Sequence, residues 1–456
     1  MTRTDRTGSR VARSSPARRR PDRKGFLMKR TSEHPRRGAG VVLAVAALCA
    51  ALAMPMIPTA GAVVETASAD MVIEWHGNAM TAVFTNARQG PTVAVLSLAI
   101  VQGAVYDAVN AIEGGYQPYL AAPAADPEDS MDAAVATAAH HTLVALFPTQ
   151  QTTLDALYAE SLAEIPNGPG ETGGIVVGAQ AAATMLAARA NDGRGGPFTV
   201  VESFGPGEWR RTPPGLLFEP APWVGNVRPF LIKSAASLRS KGPNPLTSDA
   251  YTEDFKEVKR IGSLTSTVRT ADQTDAAIYW QDNGGALWNR IFASLVVSRN
   301  LDGAQAARLL AMTNMAAADG AIACWNDKYY WNFWRPITAI REAATDGNPA
   351  TVADPNWNPL FATPPFPEHP SGHSCVSTAI VRTLQNFFGT DKIAFSAFSN
   401  NSLTTRSFNR FSEAIKEILD ARVWAGIHFR TADMQGSVIG KKVAHRLENH
   451  YFQPVA

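Results

Sequence analysis

Scarcely any stretch of this 456-residue chain alternates apolar with polar residues. Without that period of two, a chain has no way to build a sheet with one buried face. What recurs instead is helical spacing of apolar residues. It runs through residues 89–113, where Pro91 stands near the start and its missing N–H costs little. It continues through the Ala-rich segments 132–146, 152–165 and 174–191, which are punctuated by Pro148, Pro166 and Gly193. It returns at 276–299, 304–326, 372–388, 408–425 and 434–449. Between these lie residues 192–245, rich in Gly and Pro, with aromatic turns at Trp209, Trp223 and Phe230. That texture predicts a long ordered loop over a helical body, and residues 348–370 form a second proline-rich interruption. The expected fold is all-α: one large helical-bundle domain over 70–456, with its motif-bearing core at 304–449.

With 45% hydrophobic and 18% charged residues the chain is not disordered, and three cysteines cannot form a disulfide scaffold. The net charge of +2 averages two unlike pieces. Residues 1–62 hold 13 Lys and Arg against 3 Asp and Glu, so the remaining 394 are mildly acidic. Such a body gives no reason to expect a nucleic acid as partner. Within the basic head, Lys29, Arg30, Arg36 and Arg37 precede the uncharged apolar stretch 41–57 and then Ala60-Gly61-Ala62. This is the order of a secretory signal over 28–62, with cleavage as late as 69. Residues 1–27 read as an upstream extension, with translation starting at Met28. The alternative is a membrane anchor, but Pro55 and Pro58 cut the apolar run short of the ~20 residues a span needs. Sec and twin-arginine export both remain open. The expected mature protein is extracytoplasmic, has no stable membrane span, and keeps Cys324 and Cys375 as two buried thiols.

Three short stretches collect the chemistry. In the first, Lys328 and Arg335 stand seven residues apart among five aromatics. On a continuous helix they share one face, and an apolar setting calls for a compensating anion. Taken alone, they read equally well as two surface cations with apolar stems. The second is Phe366-Pro367-Glu368-His369-Pro370-Ser371-Gly372-His373. Here a helix starting at Gly372 offers backbone N–H groups to an anion, Ser371 adds a hydroxyl, and His373 can move protons near neutral pH; an ordinary Ser N-cap is the plainer alternative. The third contains Arg422, Gly426, His428 and Asp433. Six helical residues rotate by about 600°, so Arg422 and His428 need the break that Gly426 offers if both are to point inward. Two Arg, a Lys, a Ser, a Gly helix start and two His together suit a tetrahedral oxyanion.

Lys-x6-Arg-Pro (328–336), Pro-Ser-Gly-His (370–373) and Arg-x5-His (422–428), in this order, resemble the phosphatidic-acid-phosphatase type 2 / vanadium-dependent haloperoxidase superfamily. Ala104–Asn110, Trp209 with Pro213-Pro214, and Asn332–Ile340 are similar to its bacterial haloperoxidase-like branch. The resemblance implies a helical fold of the haloperoxidase and acid-phosphatase type. It makes Lys328, Arg335 and Arg422 the cations around vanadate, with Ser371 and the Gly372 N–H as further donors. His428 becomes the vanadium ligand and His373 the acid–base residue. The family pattern places an Asp four residues after the last His; here that position is Ala432, and Asp433 follows. His369 is expected to be structural. The implied reaction is oxidation of bromide, and of chloride at acidic pH, by hydrogen peroxide on a vanadate cofactor. The alternative is a cofactor-free phosphatase acting on a phosphate ester through phospho-His428. Phe366, five residues before Ser371, is the expected halide-pocket residue: it is Phe in chloride-oxidising members and His in several bromide-oxidising ones.

Overall fold

The computed structural model describes residues 69–455; the upstream extension, the export segment and Cys49 lie outside them. Thirteen α-helices occur among the described residues. They are α1 (Asp70–Met80), α2 (Pro91–Glu113), α3 (Met131–Leu146), α4 (Gln151–Ala163), α5 (Pro169–Arg189), α6 (Asp249–Ile261), α7 (Ala271–Tyr279), α8 (Gly284–Ser298), α9 (Gly303–Trp331), α10 (Pro336–Arg341), α11 (Gly372–Phe388), α12 (Phe411–Trp424) and α13 (Arg430–His450). The one sheet among the described residues is a hairpin, in which β1 (Phe395–Phe398) pairs antiparallel with β2 (Thr405–Phe408). The all-α reading therefore holds.

Helix α2 is apolar on every side and buried along almost its whole length, between α3, α5 and α9. It is long and apolar enough to cross a membrane, but its surface is taken up by neighbouring helices. Each Leu, Ile or Val it buries contributes roughly 1.5–3 kcal/mol. Helix α9, opened by a capping box between Asp302 and Gln305, is the second central rod. Helix α11 lies against α9 and α13. Its approach to α13 depends on small residues: a Cβ at Gly440 would stand 2.4 Å from the Cys375 carbonyl oxygen. The same closeness lets the Ser371 N–H donate to the Ala432 carbonyl at 3.0 Å, which fixes the start of α11 beside the start of α13.

Residues 190–248 contain no α-helix and are nonetheless fastened down. The Asp319 carboxylate on α9 accepts the N–H groups of Phe230, Leu231 and Ile232 at 2.7–2.8 Å. Asp327, two turns on, accepts from Ser240 N and Arg239 Nη1, both at 3.1 Å. Trp209 is fully buried. The expected ordered loop is what forms.

Some expectations fail for identifiable reasons. The single helix expected at 276–299 is two, because Asn283 caps a new helix by accepting the Ala286 N–H. Its apolar periodicity carries across the break and hides it. Helices α1, α6 and α10 and the hairpin were not anticipated. In α6 the signal is sparse but present, since Tyr251, Phe255 and Val258 form a buried stripe in an otherwise charged segment behind the Ser248 cap.

Candidate functional site

Lys328 occupies the last turn of α9, which stops at Asn332 in the left-handed conformation, φ 46°. Arg335 stands beyond that end, immediately before α10. The expectation that both cations ride one helical face is therefore wrong, and a turn in the chain brings them together. Arg335 donates through Nε to the Phe366 carbonyl and through Nη1 to the Ile427 carbonyl, each at 2.8 Å. Its Nη1 also lies 3.2 Å from His428 Nε2. Lys328 donates to the carbonyls of Pro367 and Glu368 at 3.0 Å and to that of Pro370. All three ammonium protons thus hold the 367–370 loop. Lys328 supplies charge and clamps that loop; it is not the free donor expected from the motif.

His428 reaches the site because α12 ends at Trp424 and the chain turns at Gly426, φ 77°. A Cβ there would meet the Gly262 carbonyl oxygen at 2.4 Å, so only glycine fits the turn. The His428 ring is oriented by Glu368: Nδ1 lies 3.0 Å from Oε1, which also accepts the Phe429 N–H at 2.9 Å. With Nδ1 donating, Nε2 carries a lone pair. Asp433 does not orient this ring. It accepts from Ser374 Oγ at 2.8 Å and bears electrostatically on Arg422. Glu368 was visible in sequence as an acid between prolines, next to cations that needed an anion. It escaped notice because the expected carboxylate lay downstream of the histidine.

The break between α7 and α8 has a use here. At the end of α7 the Trp280 carbonyl accepts Arg422 Nη1 at 3.1 Å and hydrogen-bonds the His373 ring. Helix α11 begins at Gly372, where a Cβ would fall 2.9 Å from the Trp325 ring, so the backbone there approaches the site bare. The Ser371 hydroxyl does not cap its own helix and makes no hydrogen bond of good geometry, though the Asp433 carboxylate is near enough to feel it.

Lys328, Arg335, Glu368, Ser371, Arg422, His428 and Asp433 are all buried. Burial pulls the Lys328 ammonium down to about 8 and pushes the carboxyls of Glu368 and Asp433 up, to about 8 and about 7. Burial also lowers Arg335 and Arg422, which stay charged because guanidinium begins so high. Both His428 and His373 fall well below their ordinary value, through burial and then the adjacent cations, so both rings are neutral. Three cations face two acids that burial drives toward neutrality. The excess is positive.

Spare hydrogen-bonding capacity concentrates here as well. Arg335 Nη2, Arg422 Nε, Ser371 Oγ and His373 Nε2 are buried without a partner among the described residues. Unmet buried donors cost roughly 1–3 kcal/mol each. Gly372, His373, Arg422 and His428 line a cavity of about 560 Å³. A surplus of charge, open donors and a bare imidazole nitrogen at one wall fit a tetrahedral oxyanion, vanadate included.

Of the other expected residues, Phe366 lines the same cavity, packs against Trp325 at 4.9 Å, and lies between Lys328 and Arg335. His369 is structural: it is buried, with Nε2 3.1 Å from Ser240 Oγ. Cys324 and Cys375 are free, buried thiols.

Known proteins resemble this chain in sequence and in fold. Residues 308–456 match the family model of the second helical-bundle domain of vanadium chloroperoxidase. The vanadium chloroperoxidase of Curvularia inaequalis is 25% identical over 201 residues, which cover 37% of this chain. The match spans about a third (32%) of that relative's length. Among solved structures, the first bacterial vanadium-dependent iodoperoxidase is similar with a TM-score of 0.74 at 25% identity, covering 85% of this chain and 98% of that one. A holo-type bacterial vanadium-dependent chloroperoxidase shares the fold, with a TM-score of 0.63 at 16% identity over 83% and 96% of the two chains. The chain is similar to vanadium haloperoxidases in fold over most of its described length and in sequence over its C-terminal third.

Proposed function

We propose that this haloperoxidase-like protein holds vanadate and uses hydrogen peroxide to oxidise iodide and bromide to the hypohalous acids. The observation that supports this most directly is the set of buried, unpartnered donors beside His428 Nε2. Arg335, Arg422 and Ser371 hold the oxyanion's oxygens through those donors, and Lys328 adds charge from behind the loop. Glu368 keeps the Nδ1 proton of His428 in place, so Nε2 is always the ligating atom. Bound vanadate supplies a Lewis acid that activates peroxide without changing oxidation state. The neutral His373 ring accepts a proton from incoming peroxide at Nε2, and the Trp280 carbonyl orients that ring. His373 Nε2 would hold that proton and give it back within the same turnover. Phe366 and Trp325 keep bulk water from the reacting atoms, so the fixed charges act with less screening. We also place the protein outside the cytoplasm, on the strength of its signal-like 28–62 segment.

One purified sample, assayed with and without added vanadate, tests the reading. The expected result is vanadate-dependent triiodide and tribromide formation from peroxide. No halide oxidation after vanadate loading sinks the proposal. Hydrolysis of a phosphate ester that vanadate inhibits, without halide oxidation, makes the same cage a phosphatase with His428 as nucleophile.

A further inference from the structure

One lining residue of the cavity is unexplained by anything above. Glu219 comes from the 190–248 loop, outside all three motif stretches, and lines the same cavity as His373 and Arg422. It is the sole carboxylate among the lining residues. Oε1 accepts a weak hydrogen bond from Ala221 N at 3.3 Å, and no ion pair engages the group among the described residues. A carboxylate facing a site built for anions is a liability, since it repels halide and oxyanion alike. Burial raises it to about 7, against the pull of Lys328 and Arg335. The rest of the cavity is large and apolar: Trp223, Trp288, Trp325 and Phe366 present ring surface around about 560 Å³, far more room than a halide and peroxide need. Volumes of this size hold drug-sized organic molecules.

We propose that this cavity binds the organic acceptor of the halogen, an arylalkyl amine whose ring packs among these aromatics and whose side-arm ammonium pairs with Glu219. The inference rests on the haloperoxidase reading for its chemistry and on the cavity alone for its binding. Peroxide oxidises halide to the hypohalous acid beside His373. The ring carbon of the held acceptor then attacks the halogen, so that a C–X bond forms as the X–O bond breaks. The ring proton leaves with the released hydroxide as water, and the carbon is oxidised as the halogen is reduced. Ring faces nearby also stabilise an ammonium group. An acceptor carrying a carboxylate in place of the amine meets Glu219 as a like charge and is rejected.

The probes are tyramine, 3-(4-hydroxyphenyl)propionate and 4-ethylphenol, which share a ring and differ in the charge of the side arm. Their binding to vanadate-loaded protein is followed by tryptophan emission and calorimetry, with no peroxide present. Tyramine should bind about tenfold more tightly than the propionate, a difference of one charge pairing. Glu219→Gln should cut tyramine affinity about tenfold and leave 4-ethylphenol within about twofold. Glu219→Lys should invert the order of tyramine and propionate. Equal binding of all three probes, or an order unmoved by both variants, overturns the inference. In turnover, tyramine and the propionate compete for bromination. A product ratio equal to that from free hypobromous acid also overturns it, because the acceptor is then not held. Absence of halide oxidation defeats the haloperoxidase reading alone, and the binding order still decides the site.

Discussion

Asp319 and the Arg335–Arg422 pair are equally remote from water, yet the chain treats them in opposite ways. Both oxygens of Asp319 are taken up by three backbone N–H groups of the 230–232 loop. Around Arg335 and Arg422, by contrast, donors and acceptors alike are left over: Arg335 Nη2, Arg422 Nε, Ser371 Oγ and the second oxygens of Glu368 and Asp433. Both clusters lie beside helix α9, in the same kind of core. A satisfied buried charge is a fastener, and an unsatisfied cluster is a socket whose missing part comes from outside the chain. Burial alone does not separate the two. Leftover valence does.

The largest effect that tests this contrast is on the fastener. Asp319→Ala leaves three N–H groups buried and unmet, and should lower unfolding free energy by about 3–5 kcal/mol, as seen in chemical denaturation. Vanadate affinity of the folded fraction should change little; a large loss of affinity would mean that the two clusters are one network. On the socket, Glu368→Gln keeps the shape but offers His428 Nδ1 a weaker acceptor. Vanadate affinity by calorimetry should fall roughly 10- to 100-fold, the usual cost of disturbing a ligand's supporting hydrogen bond, while the fold survives.

The fastener should also titrate. Burial raises Asp319 to about 6, above its ordinary value of 3.8. Between those values the unfolded chain has lost the proton that the folded chain retains, so stability falls as pH rises from about 4 to about 6. Melts of wild type and Asp319→Asn across that window should show the wild-type advantage shrinking by about 3 kcal/mol and then levelling. A constant difference would mean that the carboxyl ionises equally in both states. The smallest effect is Ser371→Ala, which removes a hydroxyl that caps nothing. Oxyanion affinity should drop by about 1 kcal/mol, with stability unchanged within ~0.5 kcal/mol. A clear loss of stability would show Ser371 to be an ordinary cap.

The same distinction explains what was legible in the sequence. Helices α2, α3, α9 and α11 announce themselves by period and caps, and the motif histidines meet Arg422 at one cavity while Arg335 bonds to His428. What sequence spacing cannot show is which valences are already taken. Lys328 and Arg335 are both cations of one motif, but the first is saturated by loop carbonyls and the second is not. Asp433 was the expected acid, and Glu368 went unremarked between its prolines. Only folding the 367–370 loop back onto the α12–α13 turn reveals which one meets the ring. The α7–α8 break and the carbonyl it exposes were hidden by unbroken apolar periodicity.

Helix α9 carries Asp319 and Lys328 nine residues apart, one fastening the 230–232 loop and the other the 367–370 loop. Nine residues are about 13.5 Å of rise and two and a half turns, so the two grips face opposite sides of one rod. The spacing therefore acts as a ruler. Losing or gaining a single residue between them would swing one grip by about 100° and detach one loop whatever the inserted side chain. Over evolutionary time, length changes should collect in the 190–248 loop and be absent between positions 319 and 328.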